Sequence, residues 1–560
     1  MRRIPALLMS VALAAVACQS TSPSPSAAPA ATQGAVATAA PATQAPAVTP
    51  PPISRDPNTL VIAVDAFAPD FDPASSYLLA EGLLWRGTYD TLVRLKGNSA
   101  TEIEPVLATS WDTNADKSSW TFHLRPNVTF SDGTPFDAAA VKANYVRTIK
   151  LALGTQLILG AFITDPDKQI VVVDPATVRF DLGAPTPGFG LVLAAEWGTA
   201  IVSPKVFTAN STGAKDQGHA YLQGHAVGTG PYVVTSVEPD NQVVLDQNPS
   251  YWGGWSGQHF KKIIIRSVPD GATRRQLIES GDVDIAIAST ADDSTAIRKD
   301  PRFFEPGQMN LAMDYIILGE YGNLAKPEAR QAMSYLWPYD DYITTVAKGD
   351  LARPNGVFPD LLDTSVKDFS PKTDATKAAQ LFQAAGIPQG TTFTYEYYTG
   401  FGKEVGEVLQ AQLQSVGMNL TISEKSFDAF NGDLTTDRSV DKRADMYYWG
   451  WWPDYNAPSD YSWILFNSAA APSACPCYNS GYYNNAQVDK IINDGFTQAN
   501  HDTLAASFKE AQRIMGEDVD PPIIPVGQPI DNTYYRTDIK GQVSNPLYIF
   551  TWDFYALSRG

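Results

Sequence analysis

Between Gln19 and Arg55 the chain is alanine, proline, threonine and serine, with almost no charge and hardly a large apolar side chain. Such a stretch buries too little surface to offset the entropy of ordering it, so folded structure is expected to begin near Asp56. It reads instead as a tether, residues 18–55, with a random-coil reach of roughly 30 Å, more where the prolines stiffen it. Residues 56–560 are too long for one core and predict two or more lobes. Their content supports folding, since the whole sequence is 44% hydrophobic and 18% charged.

Ahead of the tether, Arg2 and Arg3 precede an apolar run, Leu7 to Val16, too short to span a bilayer. The run ends Ala15-Val16-Ala17-Cys18, with small residues before the cysteine as lipoprotein processing requires. We therefore read residues 1–17 as a lipoprotein signal peptide and Cys18 as the acylated first residue of the mature chain. Ala15 stands where leucine is usual, and an ordinary secretory signal with an incidental cysteine is the competing reading. Lipid-anchored, extracytoplasmic placement at the cell membrane follows, on the periplasmic side or the outer surface. The formal charge of −19 argues against nucleic acid and against adhesion to anionic lipid, leaving the N-terminal lipid as the membrane contact.

Cys475 and Cys477 are the other two cysteines, separated by Pro476. In an oxidising compartment a local disulfide is expected; two free thiols or a weak metal contact compete with it. No histidine or second cysteine pair stands nearby to complete a zinc site, so neither metal nor cofactor is expected.

The stretch Tyr447-Tyr448-Trp449-Gly450-Trp451-Trp452-Pro453-Asp454-Tyr455-Asn456-Ala457-Pro458 has the composition of a pocket wall. Its rings would cover a ligand and Asp454 would orient it, while Gly450, Pro453 and Pro458 interrupt regular structure. An aromatic core segment with Asp454 at an exposed turn is the plainer alternative. Elsewhere Leu60 to Val64 reads as a buried strand, and Leu83 to Leu95 has helix-compatible spacing of Trp85, Tyr89 and Leu92. Trp120, Phe122 and Leu124 alternate like a half-buried strand, and Asp137 suits the N-cap of a helix through Tyr145. Gln169 to Leu182 reads as a hairpin turning at Pro175-Ala176. Asp270 to Ser280 and the helix from Asp374 are capped, and strand-like runs follow the helices of the 374–417 region, which is α/β organisation.

The run "EPVLATSW" with "WTFHLRPNVTFSDGTPFDAAAVKANYVR" (Glu104 to Arg147) resembles the signature of family 5 extracellular solute-binding proteins. These are the peptide, oligopeptide and nickel receptors of ABC importers. The resemblance continues in order through Ile201 to Lys205, Val227 to Tyr232, Asn248 to Trp252, "LIESGDVDI" (Leu277 to Ile285), Arg330 to Tyr335, Asp374 to Gly386 and Pro521 to Pro525. It implies an α/β, two-lobed clamp of the periplasmic-binding-protein type (type II, cluster C) with an extra subdomain inserted in lobe one. Carried over, lobe one uses residues 56–88, 226–311 and 522–560, the inserted subdomain 89–225, and lobe two 312–521. Lobes would rotate about strands near Asn310–Ile316 and Pro522–Val526.

The same resemblance implies a monomer that captures di- to oligopeptides between its lobes and passes them to ABC permease subunits. In the oligopeptide receptors the aspartate of "GW-x-x-DYN-x-P" holds the ligand's α-ammonium, and residues Gly450 to Pro458 match that pattern. Asp454 is thus the expected amine anchor, with Trp449, Trp451, Trp452 and Tyr455 around the ligand. Lys348, Arg353 and Lys403 are candidates for the opposite carboxylate. An oligosaccharide receptor using the 12 Trp and 25 Tyr as stacking platforms is the alternative, and a surface-tethered hydrolase a third reading. Catalysis has little to stand on: the five histidines form no HExxH, and no GxSxG or phosphate-loop lysine occurs.

Overall fold

The computed structural model describes residues 56–65, 70–75, 79–288, 290–365, 367, 369–475, 477–548 and 552–560. Cys18, the signal segment and the tether lie outside the described residues. Two large sheets organise the rest. The first has seven strands in the order Phe303–Phe304, Thr533–Arg536, Ile285–Ile287, Thr59–Val64, Lys262–Ser267, Gln242–Gln247 and Tyr232–Glu238. Thr59–Val64 is buried along nearly its whole length and pairs in parallel with both neighbours, as its unbroken apolar run predicts.

The second sheet has six strands: Leu351–Ala352, Ile523–Pro529, Met313–Leu318, Met446–Trp451, Thr392–Tyr398 and Asn419–Lys425. One face packs on helices Pro327–Leu336, Ala375–Ala385 and Lys403–Ser415, through Met333, Phe382 and Leu409 among others. The other packs on Phe427–Thr435, Pro458–Phe466, Ala486–Gly495 and His501–Ile514, through Phe430, Tyr461, Ile492 and Phe508. A smaller antiparallel sheet lies between the first two stretches of the seven-stranded sheet in sequence. Its order is Ala108–Thr113, Ser119–Leu124, Thr177–Asp181, Ile170–Asp174. Ser119–Leu124 buries Trp120, Phe122 and Leu124 on one side, and Asp137 caps helix Ala138–Leu151 by accepting from the Ala140 N–H at 2.9 Å.

Three expectations shift. Leu83 to Leu95 is not one helix: helix Leu79–Thr88 ends and strand Val93–Leu95 follows. The cause is Gly228-Thr229-Gly230, which presses on the helix end; the Gly230 N–H takes the Thr88 carbonyl at 3.1 Å, and a Cβ at Gly228 would lie 2.1 Å from that oxygen. Second, Ile523–Pro529 joins the six-stranded sheet, pairing with Met313–Leu318, so residues 522–529 side with lobe two and not with lobe one. Six of its seven residues are buried, and an apolar strand of that kind belongs in a sheet centre. Third, the chain crosses between sheets at 308–310, just ahead of the expected 310–316, and at 529–531, past the expected 522–526. Met309 bridges Ile530, Asn310 N–H donates to Pro529 O at 2.8 Å, and Asp531 N–H donates to Gln308 O at 2.8 Å. The two crossing segments are hydrogen-bonded to each other.

The candidate ligand cleft

Strand Met446–Trp451 carries the first half of the aromatic stretch and runs straight through Gly450. The glycine does not break the strand, because it answers a neighbour: Gly450 pairs with Asp314, and a Cβ there would meet Asp314 Oδ1 at 2.7 Å. Pro453 follows the strand, and Pro458 sits in the first turn of the next helix, where proline fits.

Strand pleating then divides the predicted residues between two faces. Trp449 and Trp451 pair with Tyr315 and Met313 and share their face. Trp449 stacks on Tyr478 with centroids 5.6 Å apart, and lies 5.8 Å from Phe430; Trp451 is buried beside the same Tyr478 at 5.5 Å. Trp452, half-buried, lies past the strand end, its ring tip 3.5 Å from where a Gly450 Cβ would be, on the face of Asp314. Tyr455 is buried and meets Phe162 of the inserted subdomain at 6.1 Å, and Phe162 also meets Phe496. The subdomain therefore reaches across to lobe two at the aromatic stretch itself.

Asp454 is half-buried in the turn, and its N–H donates to the carboxylate of Asp460 at 2.7 Å. Asp460 lies in the first turn of helix Pro458–Phe466, a position that favours an acid for helix-dipole reasons alone. Burial, and then the charge of Asp454, push the Asp460 carboxyl well above the usual carboxylate range. The charge of one acid raises the cost of charging the other.

The sequence gives no hint of a further feature. The indole nitrogens of Trp449, Trp451 and Trp452, the hydroxyls of Tyr315, Ser459 and Tyr461, and Asp314 Oδ1 are buried with no hydrogen-bond partner among the described residues. These seven atoms lie on two paired strands, the turn after them and helix Pro458–Phe466, and each costs about 1–3 kcal/mol when left unmade. Donors of this kind suit ligand carbonyls, and carboxylates suit ligand ammonium groups. On the lobe-one side, Asp65 follows strand Thr59–Val64. Burial, then Asp314 and Asp65 together, push the Tyr398 phenol upward, so this ring stands between acids of both lobes.

The basic candidates are engaged elsewhere. Lys348 Nζ pairs with Asp292 at 2.6 Å, Arg353 Nε with Asp340 at 2.6 Å, and Lys403 with Glu407 one helical turn on at 3.7 Å. Cys475 and Cys477 are joined by a disulfide, their Cα atoms 5.3 Å apart.

The profile of the bacterial extracellular solute-binding proteins, family 5 Middle, matches residues 102–473. The chain belongs to this family. The match to its relatives runs over most of each chain. It is 26% identical over 498 residues to the protein named "Probable D,D-dipeptide-binding periplasmic protein DdpA" of Escherichia coli K12, covering 87% of this chain and 92% of that one. It is 25% identical over 522 residues to di/tripeptide-binding protein 2 of Pseudomonas aeruginosa, covering 88% and 94%. Among solved structures, the periplasmic binding protein DppA of Helicobacter pylori in complex with the peptide STSA superposes with a TM-score of 0.77 at 23% identity, over 90% of this chain and 98% of that one. The two sheets are thus the two lobes of a family 5 clamp. As a member, the protein is an extracytoplasmic receptor that captures a solute for an ABC importer. No helix among the described residues is long and apolar enough to cross a membrane.

Proposed function

We propose that the captured solute is a short peptide, held extended between the lobes with its α-ammonium on Asp454. The observation that carries this reading is the half-buried turn in which the Asp454 amide donates to Asp460, beside indole N–H groups with no acceptor among the described residues. A peptide supplies both complements in one molecule: a cation at its end and carbonyls along its backbone. Main-chain pairing of the added-strand kind would give affinity without demanding particular side chains. Trp449 and Trp451 then act as the packed wall that aims their N–H groups, while Trp452 and Tyr455 line the ligand. The relatives named for dipeptides and tripeptides support this ligand class; they lend the oligosaccharide and hydrolase readings no support.

The receptor works as a monomer on a lipid leash, acylated at Cys18, with residues 18–55 letting it travel between solution and permease near the membrane. Lobe closure is rigid rotation, driven because the ligand binds the closed form better. The test is Asp454→Ala, read by calorimetry on peptides with a free amino end and on their N-acetylated forms. The free-amine peptides are expected to weaken about 100-fold or more, the loss of a buried charge pair, and the acetylated ones much less. Equal weakening of both would remove Asp454 as the amine anchor. Mass spectrometry of the solute that co-purifies with the closed protein tests the ligand class itself.

A further inference from the structure

Asp314 is the residue the capture mechanism above does not use. It lies on the central strand Met313–Leu318, four residues after the crossing from lobe one, and is 5% exposed. Its partners on the two neighbouring strands are both glycines, Gly450 and Gly527. Neither paired residue sets a side chain against the carboxylate, although Leu351 of the next strand stands over Gly527. Oδ2 accepts from the Tyr448 hydroxyl at 3.2 Å, and Oδ1 has no partner among the described residues.

Rings stand next to Oδ1. Above Gly450, a point 2.7 Å from Oδ1 lies 3.5 Å from the tips of both Phe401 and Trp452. Phe401 packs on Tyr448 at 4.8 Å and on Tyr398 at 5.2 Å. A buried carboxylate with one oxygen lacking a partner among the described residues, set beside aromatic rings, favours an organic cation through its charge. Asparagine or threonine would fill the same volume at far less desolvation cost, so the acid needs a reason to be there.

We propose that Asp314 is a second acidic contact of the cleft, taking a cationic group of the solute, such as the side-chain ammonium of a basic peptide, within the rings of Phe401, Tyr448 and Trp452. This rests on the peptide reading, and it makes the receptor selective for peptides that carry a positive charge besides the amino end. Burial, opposed only in part by the Tyr448 hydrogen bond, pushes the Asp314 carboxyl up to about 7, in keeping with an acid that lacks its counter-charge.

The probes are Ala-Lys, Ala-Ala-Lys and Ala-Ala-Ala-Lys, each with its Nε-acetylated twin, which keeps the length and removes the charge. Affinities are measured by calorimetry on the full chain, on Asp314→Asn and on Asp454→Asn. At least one free-lysine peptide is expected to bind the native protein about ten-fold or more tighter than its twin, the size of one charge-assisted contact. Asp314→Asn should bring the twins within about two-fold, whereas Asp454→Asn weakens both alike. Native protein that binds every pair equally, or an Asp314→Asn variant that keeps the preference, overturns the assignment. If no peptide binds the native protein, the peptide reading fails, and n-butylammonium decides about Asp314 alone. It should raise the thermal midpoint of the native protein and not that of Asp314→Asn; an equal response in both overturns the proposal. Folding of the variant is checked by its own midpoint, which is expected to hold or rise.

Discussion

Gly450 stands directly opposite Asp314, and the acid's Oδ1 occupies the space a Gly450 side chain would need. The pair explains why a glycine survives in the middle of a buried aromatic strand. Gly450→Ala is expected to push the carboxylate or the Phe401 and Trp452 tips aside and to destabilise the fold by about 1–3 kcal/mol, the range for overpacking a core. Urea unfolding monitored by tryptophan fluorescence checks it, and an unchanged midpoint would mean that the acid moves without resistance.

Asp314 also sets a pH signature. Its folded carboxyl titrates higher than an unfolded one, to about 7, because burial disfavours the charge. The folded state therefore holds a proton that the unfolded chain has lost, and stability falls as pH rises from about 4 toward 7. Replacing Asp314 with Asn removes that slope. The variant should gain on the native protein by about 1 kcal/mol or more at pH 8 and by little at pH 4, read by thermal unfolding at both values.

Asp72, buried against Arg147 and beside the half-buried His219, gives the opposite pattern, while His219 follows the same direction as Asp314. Arg147 donates to both Asp72 oxygens at 2.7 and 2.6 Å, and His219 Nδ1 lies 2.9 Å from Oδ2. Burial pushes Asp72 up, but the hydrogen bonds of Arg147 and His219 outweigh it and hold the carboxyl below its usual range. The bond to Asp72 raises His219, against a smaller effect of burial. The Asp72 contribution is complete above about 4 and lost as pH falls through its lower folded value. The His219 contribution is complete below about 6.5 and lost as pH rises through its higher folded value. His219→Ala should lower the thermal midpoint at pH 5.5 and leave it nearly unchanged at pH 9. Arg147→Ala, which strands a buried charge, should cost about 3–5 kcal/mol at neutral pH.

Phe162 belongs to the inserted subdomain yet packs on Tyr455 and Phe496 of lobe two. If closure brings these rings together, Phe162→Ala should weaken solute affinity about ten-fold, the value of one exposed aromatic contact, with little change in the unfolding midpoint. Small-angle scattering of the unliganded variant should show a more open particle. A large drop in midpoint with unchanged affinity would make the contact part of the static core.

Local signals carried much of this architecture into view. Asp137, Asp270 and Asp374 cap helices at the positions their neighbours announce, because a cap is decided within three residues. The apolar stripe Ala378, Phe382 and Ala385 is buried as its spacing requires. What escaped was set by distant partners. Helix Leu79–Thr88 stops where the chain around Gly228 arrives from 140 residues away, and Ile523–Pro529 changes lobe to fill a sheet centre. Of the proposed cleft acids, Asp454 is the one its aromatic company singles out, while Asp460 and Asp314 are two acids among 60. Only strand register places one against Gly450, and only the turn at Pro453 brings the other under the Asp454 amide.

The knot of hydrogen bonds joining residues 308–310 to 529–531 has a mechanical meaning. Two separate straps would let the jaws slide, shear or stretch apart independently. A doubled ribbon resists all three and yields easily only to bending and twist, so the gap opens by angle alone. The width available to a cargo is then fixed by how far from that ribbon it sits, and a molecule gripped deep near Asp314 feels a tighter vise than one held at the rim.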